Sequence, residues 1–319
     1  MSPEEDRAWI PAAIVPGETE RVVEWQRIGA LRFTHPFFRD TLKAAENPGV
    51  HETPLERLSE LAAADPGLPP SGFIFHLSRC GSTLLTQMLA ALPRHIVLSE
   101  PAPVDHLLWP EPPSEDDGMT ETRLRALLAV LGRRRFPEER HVFVKFDAWH
   151  ALDLALIRRA FPEVPWLFVY RDPVEIMVSH SMSPGRHTIP GLLDPSRLRV
   201  APPPWTETGL RTYAAQVLAR IATAAAESLD AAGRLLHYQD LPGALPAVLR
   251  HFQVDATPAE TAVMLAASAH YSKETGRLFT PDSALHQSQV TPEMRAIASE
   301  YTGAAYAALE ARRAAQPPL

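Results

Sequence analysis

Five short apolar segments between residues 71 and 240, each followed by a helical stretch, predict an α/β protein. The segments are continuously apolar, as strands of a parallel sheet buried on both faces are. Regular alternation of strand and helix then predicts three layers, α/β/α, around a five-stranded parallel sheet. Residues 71–319 are assigned to this domain, and residues 1–70 to a mostly helical N-terminal extension packed on it.

In the extension, Thr53-Pro54-Leu55-Glu56 reads as a capping box with proline at the first helical position. That helix is expected to run to about Ala63, and ADPGLPP at 64–70 breaks the chain. The first core strand is Phe73–Leu77, followed by a helix over Thr83–Leu92. His95–Leu98 is the second strand, and the Pro-rich acidic stretch 110–118 a surface loop. A helix over Thr120–Arg134 leads to the third strand, His141–Lys145, and a helix over Leu152–Phe161 to the fourth, Trp166–Tyr170. Val174–Met182 is helical behind a proline, 183–205 a long Pro/Gly-rich loop, and Gly209–Leu229 a long Ala-rich helix. Arg234–Tyr238 is the fifth strand, and helices follow to the end.

With 45% apolar and 22% charged residues, the 319-residue chain has the make-up of an ordinary globular protein. A net charge of −7 argues against a general nucleic-acid binder and leaves room for a local basic pocket. Cys80 is the single cysteine, so no intrachain disulfide forms, which fits a reducing, cytoplasmic setting. MSPEEDRAW at the N-terminus is too acidic for a signal peptide. No apolar run reaches the ~18 residues that would suggest a membrane span.

The stretch SRCGSTLL, 78–85, sits between the first strand and its helix. A strand, a glycine turn and a helix start present backbone N–H groups to an anion. Gly81 permits close approach, Ser82 and Thr83 add hydroxyls, and Arg79 adds a full charge. A Walker A loop is absent, and an ordinary strand-to-helix turn explains the same residues. Cys80 is read as a small side chain in a tight turn. A phosphatase-type nucleophile would need an Arg six residues on, where Thr86 stands.

In VYRDPVEIMVSH, 169–180, Arg171 ends a buried strand and Ser179 follows eight residues later. Ligands of open α/β sheets sit at that strand edge. The pair could hold a second phosphate, or Arg171 could form a structural ion pair with Asp172. Arg133–Arg135 reads as a solvated helix end. Trp149 and Trp205 are candidates for an acceptor pocket or for the core.

Taken together, the two motifs resemble those of the sulfotransferases that use 3′-phosphoadenosine 5′-phosphosulfate (PAPS). The resemblance covers about residues 71–255. It implies a P-loop NTPase-like fold with strand order 2-3-1-4-5. It also implies that Ser78, Arg79, Cys80, Gly81, Ser82 and Thr83 hold the 5′-phosphosulfate, and that Arg171 and Ser179 hold the 3′-phosphate. HYQDL at 237–241, with Tyr238, is similar to the family's YEDL segment. The pattern is nearest the branch with an Arg in the loop and a Glu base 21 residues later, a position held here by Glu100. A carboxylate at a strand's C-terminal edge suits that role. His106 is a weaker alternative, and His150 reads as an early helix residue.

By the same resemblance Lys145 contacts the transferring sulfuryl group, and no metal is required. The family's late RKGxxG segment has only SKETGR, 272–277, as a counterpart, with Lys273 or Arg277 as candidates to reach the 3′-phosphate. The expected reaction is sulfuryl transfer from PAPS to a hydroxyl, or as a lesser alternative an amine, of a small-molecule or carbohydrate acceptor, leaving 3′-phosphoadenosine 5′-phosphate (PAP). Two other classes stay open: an ATP-dependent small-molecule kinase of P-loop type, and a catalytically silent nucleotide-binding protein.

Overall fold

The computed structural model describes residues 7–46, 48–110, 117–269, 283–317 and 319. The core strands are β4 (Pro70–His76), β5 (His95–Ser99), β6 (His141–Lys145), β7 (Trp166–Tyr170) and β8 (Gly233–His237), preceded by β1 (Trp9–Pro16), β2 (Arg21–Arg27) and β3 (Val50–Pro54). The core sheet is parallel, in the order β5-β6-β4-β7-β8. Numbered along the chain, this is the expected order 2-3-1-4-5.

Successive strand residues supply opposite faces of this sheet. Phe73, Phe75, Val144 and Phe168 share one apolar cluster, which the helix Glu207–Glu227 covers with Val217, Leu218 and Ile221. Ile74, Phe143, Leu167 and Val169 form the opposite cluster with Leu85, Met88 and Leu89 of the helix Ser82–Ala90 and with Val248 of the helix Leu245–His251. All eight strand side chains are fully buried. Truncating such a Phe to Ala costs about 3–5 kcal/mol. Among the described residues, no helix is long and apolar enough to cross a membrane.

The helix starts follow local chemistry. Asp172 accepts a hydrogen bond from the Val174 N–H at 2.8 Å, with Pro173 at the first helical position. Thr206 caps the helix Glu207–Glu227 by accepting from the Gly209 N–H at 3.1 Å.

The N-terminal segment departs from the helical expectation. Strands β1, β2 and β3 form an antiparallel sheet, and after β1 the helices among the described residues before 70 are Phe38–Lys43 and Arg57–Ala64. Thr53 and Pro54 end β3 instead of opening a helix. The Thr53 hydroxyl accepts a hydrogen bond from Trp25 Nε1 across the sheet at 2.9 Å, which occupies the group a cap would need. Ile10, Ile14, Val23 and Trp25 join the same apolar cluster as Phe73 and Phe75, so the small sheet packs on the core.

The Arg133–Arg135 run follows a helix that ends at Leu131, and only Arg134 of the three is exposed. Arg133 is buried, and its guanidinium donates to the Leu61 and Asp65 carbonyls at 2.8 and 3.3 Å. Arg135 lies over the Phe33 ring at 4.9 Å. Both side chains tie the N-terminal segment to the core.

Candidate active site

A cleft of about 560 Å³ opens at the C-terminal edge of the core sheet. Its floor is the turn from β4 into the helix Ser82–Ala90. In this turn Ser78, Arg79 and Gly81 have φ of +65°, +48° and +79°. Two non-glycine residues in succession in the left-handed region cost free energy, and such strain concentrates at functional sites. Ser82, Thr83 and Leu84 of the first helical turn line the cleft, and the first N–H groups of a helix lack partners inside it. Gly81 is needed here on two counts. Its φ is left-handed, and a Cβ would sit 2.6 Å from Cδ2 of Tyr238.

Cys80 faces inward. Its thiol donates to the Val169 carbonyl at 3.0 Å, and burial pushes its pKa up to about 11. Only its backbone is offered to the cleft, which fits the small-side-chain reading. The Arg79 guanidinium donates to the Ser183 carbonyl and, at 2.9 Å, to Ser183 Oγ, so the loop after the helix Pro173–Met182 is fastened to the 78–83 turn.

Beneath the floor lies a buried ion pair. Lys145, at the end of β6, has no exposed surface. Its Nζ stands 2.8 Å from Glu100 Oε1 and donates to Thr83 Oγ1 at 3.2 Å. Glu100 follows β5 at φ +54°, held by its N–H donating to the Lys145 carbonyl at 2.7 Å. It lies deep in the protein yet keeps 23% of its side-chain area open to the cleft. Burial presses its pKa upward. The Lys145 ammonium and the His76 imidazole outweigh that and hold the carboxyl well below the usual carboxylate range. His76 stands behind it, with Nε2 3.5 Å from Glu100 Oε1 and Nδ1 accepting from the Ser78 N–H at 3.1 Å. One imidazole thus links the strained turn to the carboxylate.

Beside Tyr238, Arg171 is buried, and its Nε donates to Glu175. Its guanidinium lies 4.4 Å from the centre of the Tyr238 ring. Glu175 is therefore an acidic partner of Arg171, while the Asp172 carboxylate caps the helix. Ser179, half-buried, lines the same cleft.

A second acidic group closes the far wall. Asp105 Oδ1 accepts from Trp149 Nε1 at 2.8 Å and from His150 Nε2 at 3.0 Å. Asp147, two residues after Lys145, lines the cleft, and its carboxylate accepts no hydrogen bond among the described residues. Burial first, and then the nearby Glu100 carboxylate, pushes its pKa up to about 8. The His150 pKa is raised: burial lowers it, but the hydrogen bond and charge of Asp105 prevail. Ligand atoms of Asp105, Asp147 and His150 lie within 4.8 Å of one another, so this trio has the spacing of a cation site. The Asp105 oxygen is already used by two N–H donors, which a bound cation would have to displace.

Every residue singled out from the sequence for the anion turn lines this cleft, as do Glu100, Arg171, Ser179 and Tyr238. Lys145 lies below it, in contact with Thr83 and Glu100. Trp149 lines it, whereas Trp205 is 75% exposed and lies elsewhere. His106 has a structural contact, its Nδ1 accepting from the Ile14 N–H at 3.1 Å. Lys273 and Arg277 lie outside the described residues. Sequence reasoning overlooked His76 and gave Asp147 no role in the site. A polar residue ending an apolar strand was the available signal for His76.

No protein-family model and no curated protein matches the chain. Similar solved structures exist. One is a sulfotransferase from Alicyclobacillus acidocaldarius, 17% identical, covering 77% of this chain and 96% of that one with a TM-score of 0.46. A second is a sulfotransferase from Mycobacterium avium, 13% identical over 77% and 81% of the two chains with a TM-score of 0.47. A mouse sulfotransferase solved with PAP is 11% identical over 76% and 79%, with a TM-score of 0.35.

Proposed function

We propose that this protein transfers a sulfuryl group from PAPS to a hydroxyl, or as a lesser alternative an amine, of a small-molecule or carbohydrate acceptor. The observation that carries this reading is that a strained anion turn with Arg79 and a strand-end Arg171 with Ser179 open onto one cleft. Two separated anion positions suit a nucleotide phosphorylated at both its 5′ and 3′ ends. The aromatic face of Tyr238 stands between the turn and Arg171, packed against both Gly81 and the guanidinium.

In this reading the N–H groups and hydroxyls of the turn bind the 5′-phosphosulfate, and Arg171 and Ser179 bind the 3′-phosphate. The acceptor oxygen attacks sulfur as the bond from sulfur to the bridging phosphate oxygen breaks. Arg79 and Lys145 stabilise the charge that moves onto the leaving phosphate. Glu100 takes the acceptor's proton. In the unliganded pair its basicity is suppressed by Lys145. A shift of the ammonium toward the sulfuryl oxygens would release the carboxylate and raise its pKa. Cationic side chains supply the positive charge, so no metal is needed.

A second reading of the base has its own support. Asp147 lines the same cleft, its carboxylate accepts no hydrogen bond among the described residues, and burial with the nearby Glu100 raises its pKa to about 8, better matched to proton abstraction near neutrality.

The test is calorimetric titration with PAP, AMP and Mg-ATP, in wild type and Arg171→Ala. A preference for PAP without metal, abolished by Arg171→Ala, is the expected result. Tighter binding of Mg-ATP, or indifference to the 3′-phosphate, would move the kinase reading to the front. Binding of PAP with no turnover on any acceptor would leave the silent nucleotide-binding protein.

A further inference from the structure

A second chamber of about 550 Å³ adjoins the first, and Asp105, His106 and Arg186 wall both. Its size is that of a small-molecule site. One side is built by the N-terminal sheet, through Ile14 and Val15 of β1 and Arg21 at the start of β2. The other is the 183–205 loop, with Leu192 and Leu193. Much of the wall is therefore apolar. Its charged groups are not equivalent.

Arg186 Nη1 stands 3.3 Å from Asp105 Oδ2, and Arg197 Nη2 stands 2.9 Å from Asp153 Oδ1. Asp194 accepts from the Ser196 N–H at 2.9 Å. Arg21 alone among the three arginines faces no carboxylate among the described residues. It donates to the His106 carbonyl. Burial, and then the like charge of Arg123, lowers its pKa. A half-buried cation that faces no counter-ion among the described residues is an unfavourable arrangement that an anionic ligand would relieve.

We propose that this chamber is the acceptor site and that it selects an acceptor carrying a carboxylate, which pairs with Arg21. The proposal rests on the sulfuryl-transfer reading for the identity of the occupant. One positive charge that faces no carboxylate among the described residues calls for a monoanion, and the apolar wall for a hydrocarbon or aromatic body. The junction at Asp105 and Arg186 leads toward Glu100 and Asp147. The acceptor therefore carries its hydroxyl at one end and its carboxylate at the other. The N-terminal sheet gains a role here, because it supplies both the apolar wall and the cation that choose the substrate.

The test titrates matched hydroxy-carboxylates and their primary amides, with phenyl and straight-chain bodies of graded length, into PAP-saturated protein. Wild type is expected to prefer the carboxylate of at least one pair by about tenfold or more, the size of a charge-assisted hydrogen bond. Arg21→Gln is expected to bring that ratio near unity, with PAP affinity changed by less than about twofold, since Arg21 is not in the donor cleft. Arg21→Lys keeps a cation and is expected to retain most of the preference, which separates charge from folding. Equal binding of carboxylate and amide throughout the series, or a preference that survives Arg21→Gln, overturns the proposal. Titration of PAP alone reports separately on the donor. If PAP fails to bind while ligand-free protein shows the Arg21-dependent preference, the sulfuryl-transfer reading falls and the carboxylate site stands.

Discussion

Lys145 Nζ and Glu100 Oε1 meet at 2.8 Å at the C-terminal ends of adjacent strands, and the lysine has no exposed surface. A fully buried ammonium is tolerable only while its counter-ion is in place. Lys145→Met should therefore destabilise the protein by about 3 kcal/mol or more, because it leaves Glu100 uncompensated. Adding Glu100→Gln to that variant should recover part of the loss. Urea unfolding of both variants measures this, and a double mutant no more stable than Lys145→Met would show that the pair is not coupled.

Gly81 and Tyr238 give a second prediction. A Cβ at 81 would meet the Tyr238 ring at 2.6 Å while forced to φ +79°. Gly81→Ala should cost about 1–3 kcal/mol of stability and weaken PAP binding at least tenfold, by displacing the turn or the ring. Thermal unfolding and calorimetry read the two effects. Unchanged PAP affinity would remove the turn from the proposed donor site.

Cys80 sits in the middle of the turn proposed to hold the 5′-phosphosulfate, yet its thiol is buried and burial pushes its pKa up to about 11. Native protein should resist alkylation near neutral pH, and unfolding should expose a thiol of ordinary reactivity. Rapid native modification that blocks PAP binding would contradict this placement.

What was legible in the sequence was local. The 78–83 turn and the Arg171 strand end with its helix are each contiguous stretches of chain, so each could be singled out from local spacing, while their roles came from the resemblance. The Lys145–Glu100 pair needed strand order, because these residues become neighbours only when β5 lies beside β6. The N-terminal sheet was misread for a similar reason. Thr53-Pro54-Leu55-Glu56 has the form of a helix cap, and only the approach of Trp25 from β2 gives the Thr53 hydroxyl a different partner. Asp147 was visible as a strand-end carboxylate, but its state depends on Glu100 and Asp105, distant in sequence.

That state supplies the last prediction. Burial and Glu100 raise the Asp147 pKa to about 8, against about 4 for an ordinary aspartate. Between these values the folded protein holds a proton that the unfolded chain has released. Stability should therefore fall as pH rises through that window, and level off above it. Asp147→Asn should remove this slope and stabilise the protein most at the alkaline end. Catalysis separates the two candidate bases over the same range. If Asp147 takes the acceptor proton, kcat/KM should climb toward a plateau above about pH 8 and collapse in Asp147→Asn. If Glu100 takes it, its lowered pKa predicts a flat profile across neutrality that survives Asp147→Asn and is lost in Glu100→Gln. A profile on wild type and both variants, with stability followed over the same pH range, decides between the two carboxylates.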